Sequence, residues 1–162
     1  LHWVAASVCA NPSLVTALVH AGADVTARNE DGESPLHIAA SVCANPSLVT
    51  VLLAVGADPT ARTQSGETPL HRAVRSNADP AVVTALLAAG ADPTARAEDG
   101  GTPLHRAARF SSNPAVVRAL LTAGAKLTVR DATGSTPFDL IEGNDKLKET
   151  DAYWRLSGLH YK

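Results

Sequence analysis

The chain has 162 residues and a formal net charge of −2, and 45% of its residues are hydrophobic although only 4% are aromatic. The weakly acidic balance argues against broad attraction to nucleic acid, which requires a basic surface. No apolar run approaches the ~20 residues of a membrane-spanning helix, and no cysteine or histidine spacing is typical of a metal site. We therefore expect no membrane segment, metal or other cofactor.

One segment recurs every 34 residues along most of the chain. Leu36-His37, Leu70-His71 and Leu104-His105 head near-copies, and Pro137-Phe138 opens an altered copy. A fixed period in this range indicates stacked units, each of which needs a neighbour to cover its apolar face. We predict a single domain over residues 1–162. Its repeats are 1–30, 31–64, 65–98 and 99–132, followed by a C-terminal capping repeat and tail at 133–162.

Each copy carries start signals for two short helices. A hydroxyl residue followed by proline begins the first helix, because this pair combines an N-cap with a preorganised first turn. An Asn-Pro or Asp-Pro pair begins the second helix, and a glycine beyond its end supplies a left-handed C-terminal cap. An extended, hairpin-like loop then leads to the next copy. The start pairs are Ser34-Pro35 and Asn45-Pro46, Thr68-Pro69 and Asp79-Pro80, and Thr102-Pro103 and Asn113-Pro114.

The segments Ser-Gly-Glu-Thr-Pro-Leu-His-Arg-Ala-Val at 65–74 and Asp-Gly-Gly-Thr-Pro-Leu-His-Arg-Ala-Ala at 99–108 resemble ankyrin repeats. The resemblance covers residues 1 to about 142. It implies an all-α repeat solenoid of stacked antiparallel helix pairs, with β-hairpin loops projecting at about a right angle. The usual period of the family is about 33 residues, and the extra residue here lies between the two helices, where that edge of the stack should bulge slightly. The stretch from Ala5 to Thr16 is identical to that from Ala39 to Thr50, which suggests recent duplication.

Three periodic histidines, His37, His71 and His105, are the residues most easily mistaken for catalytic groups. The resemblance implies that each hydrogen-bonds to backbone and to the preceding Ser or Thr, and so ties adjacent repeats together. No nucleophile recurs beside them. We therefore expect structural histidines and no enzymatic activity.

Exposed positions that differ between copies are the candidates for partner recognition. They occur at the hairpin tips and at the end of the first helix, and the resemblance places both sets on a concave surface. Phe110 stands beside Arg109, and aromatic and arginine side chains are common interface anchors, although Phe110 could instead pack on the cap. The candidate partner-binding residues are Glu33, Gln64, Glu67, Arg72, Arg75, Ser76, Glu98, Asp99, Arg106, Arg109 and Phe110.

A row of four arginines runs through the hairpin loops and could track phosphates. The interpretation that we favour is loop packing, with salt bridges to acids that are close in sequence and reduce the positive potential. The arginines are Arg28, Arg62, Arg96 and Arg130, and the acids are Glu30, Asp31, Glu98, Asp99 and Asp131.

The remaining features concern the C-terminal tail and the two cysteines. We predict that residues 137–160 form a capping repeat, with Tyr153, Trp154 and Leu156 packed back on the fourth repeat. The alternative is a short linear motif for a partner. Cys9 and Cys43 lie one period apart, too far for a disulfide, so we expect free thiols and a cytoplasmic location.

Together these features predict a monomeric, non-catalytic protein–protein interaction scaffold that binds another protein on its concave surface. Two alternatives remain. The chain could be the binding arm of a larger enzyme or membrane protein whose other part precedes Leu1. It could also bind nucleic acid through the four loop arginines.

Overall fold

The computed structural model of the protein describes residues 12–42, 46–76 and 79–148. Helices account for the regular structure in these ranges, in which no β-strand occurs. In chain order the helices are α1 Pro12–His20, α2 Pro35–Val42, α3 Pro46–Ala54, α4 Pro69–Arg75, α5 Pro80–Ala88, α6 Pro103–Phe110, α7 Pro114–Thr122, α8 Pro137–Glu142 and α9 Asp145–Lys148.

The helices form antiparallel pairs that stack in two rows. The first helices of the pairs, α2, α4, α6 and α8, pack in chain order, and the second helices α1, α3, α5 and α7 pack beside them in the same order. Within each pair the two helices also touch. This arrangement is the predicted all-α repeat solenoid, in which each pair packs against its neighbours in sequence.

The helices begin where the sequence predicts. Proline occupies the first turn of helices α1 to α8. Before α5 and α7, the side chain of the preceding residue satisfies a backbone N–H that has no partner within the helix. Asp79 accepts a 2.8 Å hydrogen bond from the backbone N–H of Ala81, and Asn113 accepts one of 3.0 Å from Ala115. Gly90 follows α5 at a φ of 94°, a left-handed conformation that favours glycine. Helix α5 is therefore limited locally at both ends.

The core is a continuous apolar layer between the two rows of helices. Leu36, Leu70 and Leu104 of the first helices are fully buried, as are Val83 and Leu86 of α5. Small alanines also face this layer, and they allow the backbones of neighbouring helices to approach closely. The buried alanines of the first helices are Ala39, Ala40, Ala73, Ala107 and Ala108.

The loops between pairs are tight turns that hydrogen-bond to one another. In the loop before α4, the N–H of Thr63 bonds to the carbonyl of Glu67 at 2.9 Å, and the N–H of Gly66 bonds to Thr63 at 3.0 Å. One backbone bond then links neighbouring loops, from Gln64 N–H to the Asp31 carbonyl at 2.9 Å. The loops thus stack in the expected hairpin arrangement, although their few hydrogen bonds do not amount to strands.

The last described pair, α8 and α9, has a shorter connection than the pairs before it. Its N-caps, Thr136 and Asn144, are eight positions apart, whereas Thr102 and Asn113 are eleven apart. Asn144 donates hydrogen bonds of 2.8 and 2.9 Å to the carbonyls of Ala108 and Ser111 at the end of α6. The final pair is therefore atypical, as expected of a cap. The packing expected of Tyr153, Trp154 and Leu156, and the thiols of Cys9 and Cys43, lie outside the described residues.

Candidate protein-binding surface

The predicted partner-binding residues lie on the first helices and on the loops that precede them. Arg72 and Arg75 belong to α4, and Arg109 and Phe110 end α6. The structure divides the predicted residues into two groups. One group is a network of ion pairs, which we call the acid–arginine cluster, formed by Glu33, Glu67, Arg72, Asp99 and Arg106. All of its members except Asp99 are buried or half-buried. The other group is exposed.

Glu67 is the centre of the acid–arginine cluster. Its Oε1 accepts a hydrogen bond from Nε of Arg106 at 2.9 Å, and its Oε2 lies 3.0 Å from Nε of Arg72. The Arg72 contact is electrostatic, because that Nε is buried and is not aligned for a hydrogen bond. Glu67 thus holds one arginine of its own copy and one of the next copy.

Two further acids extend the cluster at its ends. Glu33 Oε1 lies 2.9 Å from Arg72 Nη2, and Asp99 Oδ2 lies 2.8 Å from Arg106 Nη1. The hydrogen bond from Arg106 lowers the pKa of Asp99. Burial opposes the charged form of Arg106, but the bond to Asp99 and the nearby negative charges raise its pKa overall. Asp99 and Arg106 therefore stabilise each other's charged forms, and the cluster spans three successive copies.

Burial of Glu67 corrects one expectation from the sequence. We expected Glu67 among exposed residues at a hairpin tip, but it is only 4% exposed and its carboxylate is enclosed by arginines. The reason is the loop geometry, which directs this side chain under Arg72 and Arg106. The sequence contains a signal for such ion pairs, because Arg72 follows Glu67 by five positions and Arg106 follows Asp99 by seven.

The exposed group lies at the C-terminal ends of α4 and α6. Phe110 is 46% exposed, and the guanidinium carbon of Arg75 lies 5.9 Å from the centre of its ring. Ser76 caps α4, and Arg109 is exposed in the last turn of α6. Val42, at the position equivalent to Phe110 in the repeat register, is 53% exposed and belongs to the same set of variable helix-end positions. We call Val42, Arg75, Ser76, Arg109 and Phe110 the helix-end patch.

Two predicted loop residues, Gln64 and Glu98, are also exposed but lie at the hairpin tips. Gln64 Nε2 donates a 2.6 Å hydrogen bond to the carbonyl of Glu30. The tips stand before the N-termini of the first helices, and the helix-end patch stands after their C-termini. With a rise of 1.5 Å per residue, a seven-residue helix separates them by about 10 Å.

The three periodic histidines are buried and link successive copies. Nδ1 of His71 accepts from the backbone N–H of Thr68 at 3.1 Å, so Nε2 carries the proton and donates to the Gly101 carbonyl at 3.2 Å. His37 and His105 make equivalent bonds. Burial lowers the pKa of all three, that of His71 to about 4. These neutral histidines act as structural links.

The loop arginines form a second set of links, and their partners differ from those we expected. Nη1 of Arg28 donates to the carbonyl of Arg62 at 2.6 Å, and Nη1 of Arg62 donates to the carbonyl of Arg96 at 2.7 Å. Arg96 bonds in the same way to Arg130. Within the described ranges no loop arginine pairs with the predicted acids, and Asp99 pairs with Arg106 instead. Backbone carbonyls are the acceptors because they lie nearer to each guanidinium.

The described part of the chain shows neither a cluster of three potential metal ligands nor a helix with the length and apolarity needed to cross a membrane. Stacked helix pairs joined by periodic links define a repeat solenoid. The family model for ankyrin repeats (three copies) matches residues 1–97 and 44–131. The chain therefore belongs to the ankyrin-repeat family, whose members are generally protein-interaction modules. No curated protein matches the chain.

Proposed function

We propose that the chain is a non-catalytic scaffold that binds a partner protein on the face formed by its first helices and hairpin loops. The observation that carries the proposal is Phe110, an aromatic side chain that is 46% exposed and lies beneath the guanidinium of Arg75. Aromatic and arginine side chains dominate the binding energy of protein interfaces. Exposure of such a pair on a stable helix end supports a role in recognition.

The rest of this face supports the proposal by its rigidity. The histidine links, the loop arginine links and the acid–arginine cluster all connect successive copies beneath or beside the helix-end patch. A surface that is ordered before binding loses less conformational entropy when a partner docks. The histidines are occupied by these structural bonds, which supports a function without catalysis.

The row of second helices carries a different feature. A shallow groove of about 530 Å³ runs between α5 and α7, lined by Leu87, Ala115 and Arg118 among other residues. The groove forms because small alanine side chains on these two helices leave space between them. Arg118 is exposed and lies in this other row, so it offers a matched control for changes at Arg75 and Arg109.

Affinity capture from a native cell extract tests the proposal. The wild-type chain, the triple variant Arg75→Ala, Arg109→Ala, Phe110→Ala and the control Arg118→Ala serve as baits, and mass spectrometry measures the recovered proteins. We expect the triple variant to lose recovery about tenfold or more, since anchor residues contribute roughly 2 kcal/mol each. Unchanged recovery by a triple variant with the wild-type circular dichroism spectrum would overturn the proposal.

A further inference from the structure

The four arginines of α4 and α6 divide into two classes with different tasks. Arg72 and Arg106 are half-buried and bound to the carboxylates of the acid–arginine cluster. Arg75 and Arg109 follow them by three residues, one turn further along each helix, and are exposed. Arg72 and Arg106 thus bind groups of the protein itself, whereas Arg75 and Arg109 are exposed to solvent.

The donors of Arg75 and Arg109 are not used by the described residues. The one ion pair of Arg75 is with Glu67, whose Oε2 is 3.8 Å away, beyond hydrogen-bonding distance, and Arg109 forms no ion pair in the described ranges. Cations in the last turn of a helix interact favourably with its dipole, but that interaction leaves the N–H groups unbound. Both guanidinium groups can therefore donate hydrogen bonds to an external anion.

Phe110 lies beside the charge of Arg75, whose guanidinium carbon is 5.9 Å from the centre of the ring. A cation at such a distance from an aromatic ring is attracted to it. The N–H groups of a guanidinium match the two oxygens of a carboxylate in geometry and charge. The exposed remainder of the ring lies next to the same position and offers an apolar contact.

Acids of this face offset these charges only in part. Glu67 Oε2 lies 3.8 Å from Arg75 Nη1, but Glu67 makes closer contacts with Arg72 and Arg106. Asp99 is paired with Arg106. The exposed Glu98 stands at a hairpin tip, about one helix length of 10 Å from the helix-end patch. The patch therefore carries a local positive charge on a protein whose net charge is −2.

We propose that Arg75 and Arg109 bind the carboxylates of an extended acidic segment of the partner protein, and that an apolar side chain of the segment packs on Phe110. Neighbouring helices are about 8–10 Å apart and an extended chain rises about 3.3 Å per residue, so the two carboxylates are about two to three residues apart. This inference rests on the proposed function and names the chemistry of its partner. The net negative charge of the chain disfavours nucleic acid as the ligand.

Selection from a displayed library of random linear dodecapeptides tests the inference. The baits are the wild-type chain, the double variant Arg75→Gln, Arg109→Gln, the charge reversal Arg75→Glu, Arg109→Glu, and the control Arg118→Gln. We expect wild type and control to enrich peptides with Asp or Glu at the stated spacing. The charge-reversed chain should enrich Lys and Arg instead. A selected peptide should bind the Gln double variant about tenfold more weakly, equivalent to roughly 1.4 kcal/mol, and should dissociate as salt is added.

Several results would overturn the inference. These are peptides without acidic enrichment, the same peptides selected by wild type and double variant, and no selected peptide at all. Tighter binding of labelled single-stranded or duplex DNA than of the selected peptides, at the same salt concentration, would overturn it as well. The proposed function fails separately, because it depends on whether the triple variant recovers as much protein from extract as the wild-type chain does, whatever peptides the chain selects.

Discussion

Nε of Arg106 donates a hydrogen bond to Oε1 of Glu67 across 2.9 Å, although the two residues are 39 positions apart. The same carboxylate also contacts Arg72 of its own copy. One acid thus joins two successive copies through side chains, whereas the histidine and loop arginine links end on backbone carbonyls.

Replacement of Glu67 should destabilise the protein. Glu67→Gln removes the negative charge between Arg72 and Arg106 and leaves each half-buried cation with one carboxylate instead of two. A hydrogen bond to a charged group contributes about 1.5–3 kcal/mol, so we expect a loss of about 2 kcal/mol in the free energy of unfolding, measured with urea. Glu30→Gln, at an exposed tip, should change it by less than about 0.5 kcal/mol. Equal effects of the two substitutions would contradict this role.

The loop arginine links can be measured by comparing Arg62 with Arg130. Arg62 bonds to Gly66 in its own loop and to Arg96 in the next copy, whereas Arg130 bonds to Gly134 and has no described acceptor beyond. We expect Arg62→Ala to lower the unfolding free energy by about 1 kcal/mol more than Arg130→Ala does, the typical value of one hydrogen bond. If the two losses agree, the link between copies contributes nothing measurable.

A comparison of substitutions at Gly66 and Gly134 distinguishes the cost of backbone strain from the cost of crowding between loops. Gly66 and Gly134 have φ values of 73° and 83°, so an added side chain meets similar backbone strain at both. At Gly66, however, a Cβ would lie 3.1 Å from the backbone nitrogen of Glu98, and at Gly134 nothing lies within 4 Å. Gly66→Ala should therefore cost about 1 kcal/mol or more beyond Gly134→Ala, since crowding in packed structure costs 1–3 kcal/mol. Thermal denaturation of both variants would show the order.

Low pH should reduce the free energy of unfolding because of the buried histidines. The pKa of His71 falls to about 4 in the folded protein and is about 6.5 in an unfolded chain, so the unfolded state binds more protons between these values. The contribution of His71 to the free energy of unfolding is complete above pH 6.5. It declines as the pH falls towards 4, by about 3 kcal/mol at most. His37 and His105 act in the same direction. Urea titrations at several pH values measure the slope.

The variant His71→Gln tests whether His71 causes this pH dependence of the unfolding free energy. It should lower stability at neutral pH, because the bond to Gly101 weakens, but its stability should depend on pH less steeply by about one proton. The exposed His20→Gln is the matched control and should keep the wild-type slope. A wild-type slope in His71→Gln would show that other groups cause the acid sensitivity.

The C-terminal pair should depend on Asn144. Its side chain bonds to two carbonyls at the end of α6 and accepts from Lys146 at the start of α9. Asn144→Ala should lower the unfolding free energy by about 1–2 kcal/mol, the range for loss of an N-cap and its bonds. Hydrogen exchange should show faster exchange in α8 and α9 than in α4. Uniform protection across these helices would contradict a local role.

The sequence predicts the solenoid because its signals are local and repeated. Thr68-Pro69 and Asp79-Pro80 begin helices wherever they occur, and Gly90 ends one, so each copy repeats the same evidence. The candidate surface is harder to predict, because exposure depends on neighbouring copies. Glu67 and Glu98 both belong to hairpin loops, yet Glu67 lies beneath two arginines and Glu98 meets solvent. The local spacing shows Arg72 near Glu67, but burial of Glu67 also involves Arg106, 39 positions later, which this local pattern does not contain.

The loop arginine links have a consequence for how such a chain can grow. The donor of each link is an arginine, and its acceptor is the backbone carbonyl of the equivalent arginine 34 residues later. A tandem duplication of one period therefore reproduces donor and acceptor together, whatever the residues around them. The stretch shared by Ala5–Thr16 and Ala39–Thr50 has the form of such an event. Copies added in this way arrive already joined, and their helix-end residues are then free to diverge.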